Sequence, residues 1–324
     1  MILAGDIGGT NTRLAIVAVV EGRVRIVAEE TFASREEPSL ESALRKFLGK
    51  HVFPLERAGL GVAGPVRQGR CEATNLPWII DSHEIASEFG LSRVGLINDL
   101  EAKACGIADL EPEELETLNP GIPDVRGNQA VIAAGTGLGE AVLIWDATEY
   151  RPFASEGGHA DFAPRNRLEM ELLDFLLKRH PRVSVERLVS GQGLLNIYQF
   201  LKEKQNVVEQ DWLAEQLRQQ DPPAVISRNA LDGRSPLCME ALDLFTALYG
   251  AEAGNLALKV MATGGIYLGG GIAPKIVAKL REPVFMNAFT AKGRMKPLLQ
   301  AMPVRVILNT GIALIGAARH AMRL

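Results

Sequence analysis

The sequence is short of the residue types on which disulfide-stapled, membrane-spanning and secreted proteins depend. Of 324 residues only three are cysteines, Cys71, Cys105 and Cys238. Their odd number and wide spacing argue against a disulfide framework and a CxxC metal site, and favour reduced side chains in or near the core. No apolar run approaches the roughly 20 residues that cross a bilayer, and no basic segment of a signal peptide is visible. We therefore predict a cytoplasmic protein without a membrane partner.

Positive charge is also scarce. The chain has 35 Lys and Arg against 39 Asp and Glu, a formal net charge of −4 and an isoelectric point near 5.9. A nucleic-acid partner is not expected, because such proteins concentrate basic residues on one face. Apolar residues make up 47% and charged residues 23% of the chain, which is typical of a soluble globular protein. The length allows one large domain, or two domains with a site between them.

Two common nucleotide-binding motifs are missing. No G-x-x-x-x-G-K-[ST] occurs, which excludes a P-loop. No G-x-G-x-x-G opens a helix after a strand with an acid about 20 residues on, which weakens a dinucleotide site. What is present is a mixed α/β pattern in the N-terminal third. Further on, the periodicity predicts helices at about 167–179, 193–203, 209–220 and 236–262, a strand at 304–308 and a closing helix at 312–322.

A glycine-rich turn follows the first apolar strand, with the sequence Gly5-Asp6-Ile7-Gly8-Gly9-Thr10-Asn11. Glycines let backbone N–H groups approach an anion, and the threonine hydroxyl adds a donor, so the turn suits phosphate. A carboxylate at Asp6 would repel phosphate unless a cation lies between them, which indicates Mg²⁺, directly or through water. The alternative is an ordinary hairpin turn.

A second turn of the same kind, Gly135-Thr136-Gly137, lies between two further β-rich runs. The two segments form a weak internal repeat, and facing each other they could clamp a polyphosphate. Asp6-Ile7-Gly8-Gly9-Thr10 followed by a β-rich run resembles the first phosphate loop of the actin, hexokinase and Hsp70 group.

An acid follows the short apolar run that ends at Ile97-Asn98. Asp99 at the end of a buried strand could be held rigidly and could take the proton of an alcohol that attacks a γ-phosphoryl group. The alternative is a helix N-cap, for which Asp is well suited.

Polar groups also cluster in Ser155-Glu156-Gly157-Gly158-His159-Ala160-Asp161. A carboxylate and an imidazole on a bend with little side-chain bulk suit the vicinal hydroxyls of a sugar. Glu, His and Asp are metal ligands as well, but no second His or Cys stands nearby. Glu186 is a candidate second carboxylate, with a charge on a helix surface as the alternative.

Taken in order, the motifs GDIGGTN, INDLEA, AAGTGLG, SEGGHADFAP, VERLVSGQGL and GGGI resemble the glucokinase family of proteobacteria and cyanobacteria, from residue 5 to about 316. The resemblance implies a two-domain actin-like ATPase (ribonuclease H-like) fold. A smaller α/β domain, 1–109 plus 300–324, and a larger one, 110–299, would border an active-site cleft. It also implies transfer of the γ-phosphoryl of MgATP to the 6-hydroxyl of glucose, by a homodimer.

Carried over by motif, Asp99 is the expected general base. The resemblance assigns sugar hydroxyls to Asn98, Glu156, His159 and Glu186, and more weakly to Thr74-Asn75. Gly5 to Thr10 and Gly135 to Gly137 would hold ATP phosphates, and Gly269-Gly270 would lie under the adenosine. Asp6 would hold Mg²⁺, through water.

Two departures and two rivals qualify the resemblance. Residues 160–190 lack the cysteines of the zinc motif in repressor–ORF–kinase sugar kinases, so zinc is not expected. Gln192 stands where several relatives have proline, beside Glu186. A kinase for mannose, fructose or an amino sugar remains open. A non-catalytic sugar-sensing regulator is disfavoured, because the chain begins at its first phosphate strand, without a DNA-binding helix-turn-helix.

Overall fold

The structure is a computed structural model that describes residues 1–74, 76–122 and 126–324. Asn75, a predicted sugar contact, lies outside the described residues. Strands and helices alternate along much of the chain, as the mixed α/β prediction requires.

The strands fall mostly in the first half of the chain. In order they are β1 (Ile2–Ile7), β2 (Asn11–Val20), β3 (Arg23–Ala33), β4 (Arg57–Val62), β5 (Val66–Arg67), β6 (Arg70–Glu72), β7 (Ile79–Asp81), β8 (Arg93–Asn98), β9 (Leu115–Asn119), β10 (Gln129–Ala134), β11 (Leu138–Trp145), β12 (Tyr150–Ser155), β13 (Gly265–Gly269) and β14 (Val304–Ile307).

The helices dominate the second half. In order they are α1 (Leu40–Lys50), α2 (Ser82–Phe89), α3 (Asp99–Gly106), α4 (Arg167–Leu177), α5 (Gly191–Gln205), α6 (Asp211–Gln219), α7 (Pro222–Leu231), α8 (Pro236–Val260), α9 (Val277–Leu280), α10 (Pro283–Thr290), α11 (Lys296–Ala301) and α12 (Ile312–Met322). The four helices predicted between 167 and 262 are confirmed, whereas α7 was not predicted.

Two compact units divide the chain. The first comprises Met1–Leu115, Ala141–Ala154 and Asn309–Leu324, and the second comprises Glu116–Glu140 and Ser155–Leu308. Compact units are not the same as folding domains, so the domain boundaries predicted from the sequence stay a prediction.

The first unit is built on a five-stranded sheet in the order β3-β2-β1-β4-β8. β1 is antiparallel to β2 and parallel to β4, and β4 is parallel to β8. The parallel strands are apolar along most of their length because both faces are covered. The carboxyl ends of β1 and β8, where Asp6 and Asn98 lie, are therefore at the same edge of the sheet.

Helix α12 fixes the position of α3 in this unit. Gly316 of α12 lies so close to α3 that an added Cβ would stand 1.6 Å from the Ala102 carbonyl oxygen. Only glycine permits this backbone approach, and α12 is buried along most of its length. The helix that begins at Asp99 is thereby held rigidly.

The second unit has parallel strands under a long buried helix. β13 is parallel to β10 and to β14, and β9 follows β14 in the sheet. α8 is apolar almost all round, as expected for a helix in the core. Its Tyr249 hydroxyl donates to the Ile132 carbonyl of β10 at 3.0 Å. No helix among the described residues is both long and apolar enough to span a membrane.

Candidate active site

The first glycine turn is stabilised by hydrogen bonds to a buried serine. The Gly8 N–H donates to the Asn11 carbonyl at 3.0 Å, and the Ser34 hydroxyl donates to the Gly8 carbonyl at 2.7 Å. Ser34 also shares a hydrogen bond of 2.9 Å with Thr12. These contacts fix the turn while leaving Thr10 exposed, which is the arrangement that a phosphate-binding turn needs.

Asn98, and not Asp99, is the N-cap of α3. The Asn98 side-chain oxygen accepts from the Leu100 N–H at 2.8 Å, and its amide donates to the Gly64 carbonyl at 3.2 Å. Glu101 completes a capping box by accepting from the Asn98 N–H at 3.2 Å. The alternative that Asp99 serves as the cap is therefore wrong, and its carboxylate is not used for helix capping.

Asp99 instead pairs with a lysine one turn along the same helix. The Lys103 ammonium lies 2.7 Å from Oδ2 of Asp99, and both side chains are only about one fifth exposed. Burial lowers the pKa of Lys103, but the negative charges of Asp99 and Asp6 outweigh it and leave that pKa raised. Burial raises the pKa of the Asp6 carboxyl, with Lys103 opposing the shift and Asp99 adding to it. The two carboxylates thus share one partly buried cation.

In the second unit, the glycine turn after β10 is tied to Glu186. The Gly191 N–H donates to the Gly135 carbonyl at 2.8 Å, and the Leu138 N–H donates to Oε2 of Glu186 at 2.9 Å. An added Cβ at Gly137 would stand 2.4 Å from that oxygen. The absence of a side chain at Gly137 therefore lets the Glu186 carboxylate reach the turn, so Glu186 is not a surface helix charge.

The structure brings Glu156, His159 and Glu186 together. Nδ1 of His159 lies 3.9 Å from Glu186, and Nε2 lies 4.0 Å from Glu156. Glu156 is 74% exposed, His159 55% and Glu186 29%. At these distances no hydrogen bond joins the three groups, so each keeps its capacity to bind a hydroxyl.

A cavity of about 580 Å³ opens beside the second glycine turn. This volume lies within the range of small-molecule sites. The cavity is lined by Gly135, Thr136, Gly191, Gln192, Leu194, Leu195, Asp221, Pro222, Pro223, Ala224, Ser227, Gly271, Ile272, Lys275 and Ile276. Gly271 lines it directly, whereas the predicted Gly269 and Gly270 lie just before it. Gly270 has a φ of +82° and packs on the Ala134 carbonyl, which makes glycine the natural residue there.

Sequence reasoning missed two parts of this site. The Asp99–Lys103 spacing of four residues on a predicted helix was a signal for the ion pair. The run Asp221-Pro222-Pro223 was a signal for the start of α7, because proline is favoured in the first helical turn. Among the described residues, no three His, Cys, Asp or Glu side chains form a cluster that could hold a metal ion.

Solved structures with this architecture define the class. A glucokinase from an Antarctic psychrotroph superimposes with a TM-score of 0.86 at 33% identity, and the match covers 100% of this chain and 99% of the other. The fold is accordingly that of the actin-like ATPases, in the form used by sugar kinases.

The family follows from the sequence comparisons. Residues 3–324 match the family model described as Glucokinase. Glucokinases of Trichormus variabilis and of Nostoc sp. strain PCC 7120 are each 44% identical to this chain, over 100% of its length and 99% of theirs. The chain belongs to the glucokinase family.

Proposed function

We propose that the protein transfers the γ-phosphoryl group of ATP to the 6-hydroxyl of D-glucose, giving glucose 6-phosphate and ADP. The observation that carries the proposal is Asp99, a rigid carboxylate at the end of a parallel strand that capping does not consume. The family match and the cavity beside Gly135 support the sugar kinase activity.

Asp99 is the general base in this reaction. As the 6-hydroxyl oxygen attacks the γ-phosphorus, the carboxylate takes the hydroxyl proton, and the bond to the ADP oxygen breaks in line. Positioning and electrostatic stabilisation supply most of the catalysis in such transfers. A base held at 2.7 Å by Lys103 loses little freedom when substrate arrives.

Glu156, His159 and Glu186 bind the remaining sugar hydroxyls. Carboxylate oxygens accept from hydroxyl groups, and a neutral imidazole both donates and accepts. Asn98 uses one amide hydrogen on Gly64, which leaves its second hydrogen for the sugar. Asn75 stays a predicted contact.

The glycine turns hold the phosphates of ATP. Of the Gly5–Thr10 and Gly135–Gly137 segments, the Gly8 and Gly135 N–H groups are used within the turns themselves. The backbone N–H groups that follow them and the hydroxyls of Thr10 and Thr136 are the donors that suit a polyphosphate. The cavity beside Gly135 takes the adenosine, because its volume and mixed lining suit a nucleoside.

Asp6 fits the role of a Mg²⁺ partner. Mg²⁺ keeps several waters and is usually held by one or two carboxylates together with substrate phosphates, so a single carboxylate suffices. Burial raises the pKa of Asp6, which means that ionising this carboxyl group costs free energy, and a cation beside it would offset that cost. The ion would neutralise charge on the phosphates.

Three further properties belong to the proposal. The protein would act in glycolysis, lie in the cytoplasm and form a homodimer. The oligomeric state is tested by light scattering coupled to size-exclusion chromatography, where a mass near 70 kDa, twice the 35.1 kDa of one chain, is expected.

The activity is tested by ADP release across a panel of glucose, mannose, fructose and glucosamine. Product identity is read with glucose-6-phosphate dehydrogenase, which responds to the 6-phosphate of glucose. We expect glucose to give the highest kcat/KM. Turnover confined to another hexose would overturn the glucose assignment and leave a kinase, whereas no sugar-dependent ADP release would overturn both.

A further inference from the structure

We propose that Lys103 is a positioning residue for the general base. Its ammonium clamps Oδ2 of Asp99, so that the other carboxylate oxygen is presented to the sugar hydroxyl. This inference rests on the proposed function, and it assigns a role to a side chain that neither binds substrate hydroxyls nor caps a helix.

The geometry of α3 supplies the first argument. Asp99 and Lys103 are four residues apart, so their side chains lie on the same face of the helix, with the acid nearer the N-terminus. The Nζ–Oδ2 distance is 2.7 Å, which is a charge-assisted hydrogen bond. Because Asn98 takes the capping role, this bond is what orients the Asp99 carboxylate on its own helix.

Burial supplies the second argument. Exposed ion pairs contribute little, since solvent screens them and long side chains lose entropy. Here the side chains of Lys103 and Asp99 are 20% and 21% exposed, and α3 is fixed against α12 at Gly316. A lysine drawn into this environment next to two carboxylates stays charged and stays in place.

The neighbouring cation is committed elsewhere. Arg13, which also acts on Asp6, donates to Glu29 at 2.6 and 3.0 Å and to the Thr310 carbonyl at 2.5 Å. Lys103 is therefore the cation that the structure gives to Asp99. It offsets the repulsion between Asp99 and Asp6, which would otherwise push the base away from its productive position.

The chemical consequence is that the two carboxylate oxygens of Asp99 have different roles. Oδ2 accepts from Lys103 throughout the reaction, and Oδ1 accepts the proton from the 6-hydroxyl. Loss of the clamp frees the carboxylate to rotate about its side-chain bonds. Misplacement of a catalytic group by about 1 Å costs on the order of 10²-fold in rate, so the loss should fall on kcat.

The experiment uses Lys103→Met in the full chain, which removes the ammonium but keeps an unbranched apolar stem. We expect kcat to fall roughly 10- to 100-fold, with KM for glucose and ATP changed less than threefold. Lys103→Arg keeps a cation and should recover most of the rate. Lys204→Met is the matched control, because it breaks an exposed lysine–glutamate pair with Glu171 and should leave kcat unchanged.

A double-mutant cycle separates positioning from a direct effect on the phosphoryl group. If Lys103 acts through Asp99, then adding Lys103→Met to the Asp99→Asn variant should lower kcat by less than a further twofold. An equal loss in both backgrounds would overturn the inference, and so would an unchanged kcat in the single variant. If the melting temperature of Lys103→Met fell so far that partial unfolding at the assay temperature explained the lower kcat, the inference would also be overturned. Should Lys103→Met not fold, Lys103→Gln repeats the cycle.

Failure of the proposed function is seen separately. It would show as absent glucose-dependent ADP release by the unchanged protein, whatever the Lys103 variants do. With wild-type turnover intact, only the ratio of the Lys103→Met effects in the two Asp99 backgrounds decides the positioning role.

Discussion

The two groups of charged side chains that the proposed reaction uses are held in different ways. In the first unit, Asp99 is partly buried, sits on a capped helix and is hydrogen-bonded to Lys103 at 2.7 Å. In the second unit, His159 and Glu156 are more than half exposed and 4.0 Å apart. The group proposed to take a proton is thus arranged in advance, whereas the groups proposed to recognise hydroxyls are left open for hydrogen bonds with the ligand.

The second group has its own rigid support beneath it. Glu140 of β11 is 2% exposed, and an added Cβ at Gly157 would stand 1.9 Å from its Oε2. The loop that carries Glu156 and His159 therefore packs directly on a buried acid. Rigidity comes from charge compensation in the first unit and from close packing of glycine on a carboxyl group in the second.

The largest expected effect comes from removing the base. Asp99→Asn keeps the size of the side chain and one hydrogen-bonding oxygen but cannot accept the proton. We expect kcat to fall about 10²- to 10⁴-fold, measured by coupled ADP release at saturating glucose and ATP. Asp232→Asn, which alters an exposed acid 3.8 Å from the Arg234 guanidinium, is the control. Turnover that survives Asp99→Asn would remove the general base from the mechanism.

The next effect concerns the free energy of unfolding and tests the close packing on Glu140 in the second unit. Burial, followed by the charge of Glu252, raises the pKa of Glu140 to about 7. The folded chain then holds a proton that the unfolded chain releases near pH 4.5, so stability falls as pH rises from about 4.5 to 7 and is constant above. The loss amounts to about 3 kcal/mol. Glu140→Gln stays neutral at every pH and should escape it.

Urea unfolding at pH 5 and pH 8 measures this difference. Glu140→Gln should be more stable than the unchanged protein at pH 8, by up to about 3 kcal/mol, and the gap should shrink towards pH 5. Glu203→Gln, an exposed position on α5, should show no such trend. A gap that stays constant with pH would mean that the carboxyl group is ionised in the folded protein.

The sequence predicted the position of the proposed base in the first unit, but not the contacts that support either group of charged side chains. The strand-end position of Asp99 was predictable because a short apolar run ends there and a helix follows. Which residue caps that helix was not, because Asn and Asp cap about equally well and only the contacts decide. The buried acid Glu140 was not predictable either, since a single Glu in an apolar strand gives no indication of the Gly157 loop that packs on it.

A smaller effect distinguishes the two carboxylates of the recognition group. Glu186 both accepts from the Leu138 N–H at 2.9 Å and would bind the sugar, whereas Glu156 is 74% exposed. Glu186→Gln should lower kcat/KM for glucose roughly 100-fold and Glu156→Gln only roughly tenfold, at 1.4 kcal/mol per factor of ten. Both effects should appear mainly in KM for glucose. Equal losses would mean that the less exposed Glu186 contributes no more to sugar binding than the exposed Glu156.

The smallest effect tests the proposed nucleotide cavity, whose lining includes no residue of either charged group. Ala224 lies on α7 and lines the cavity of about 580 Å³, so Ala224→Trp should occupy part of the adenosine space. We expect KM for ATP to rise about tenfold, a loss of about 1.4 kcal/mol, with kcat and KM for glucose unchanged. Arg228→Trp is the matched control, because Arg228 is exposed on the same helix and does not line the cavity. If Ala224→Trp raised KM for glucose instead, the cavity would belong to the sugar. The nucleotide would then have to bind without it.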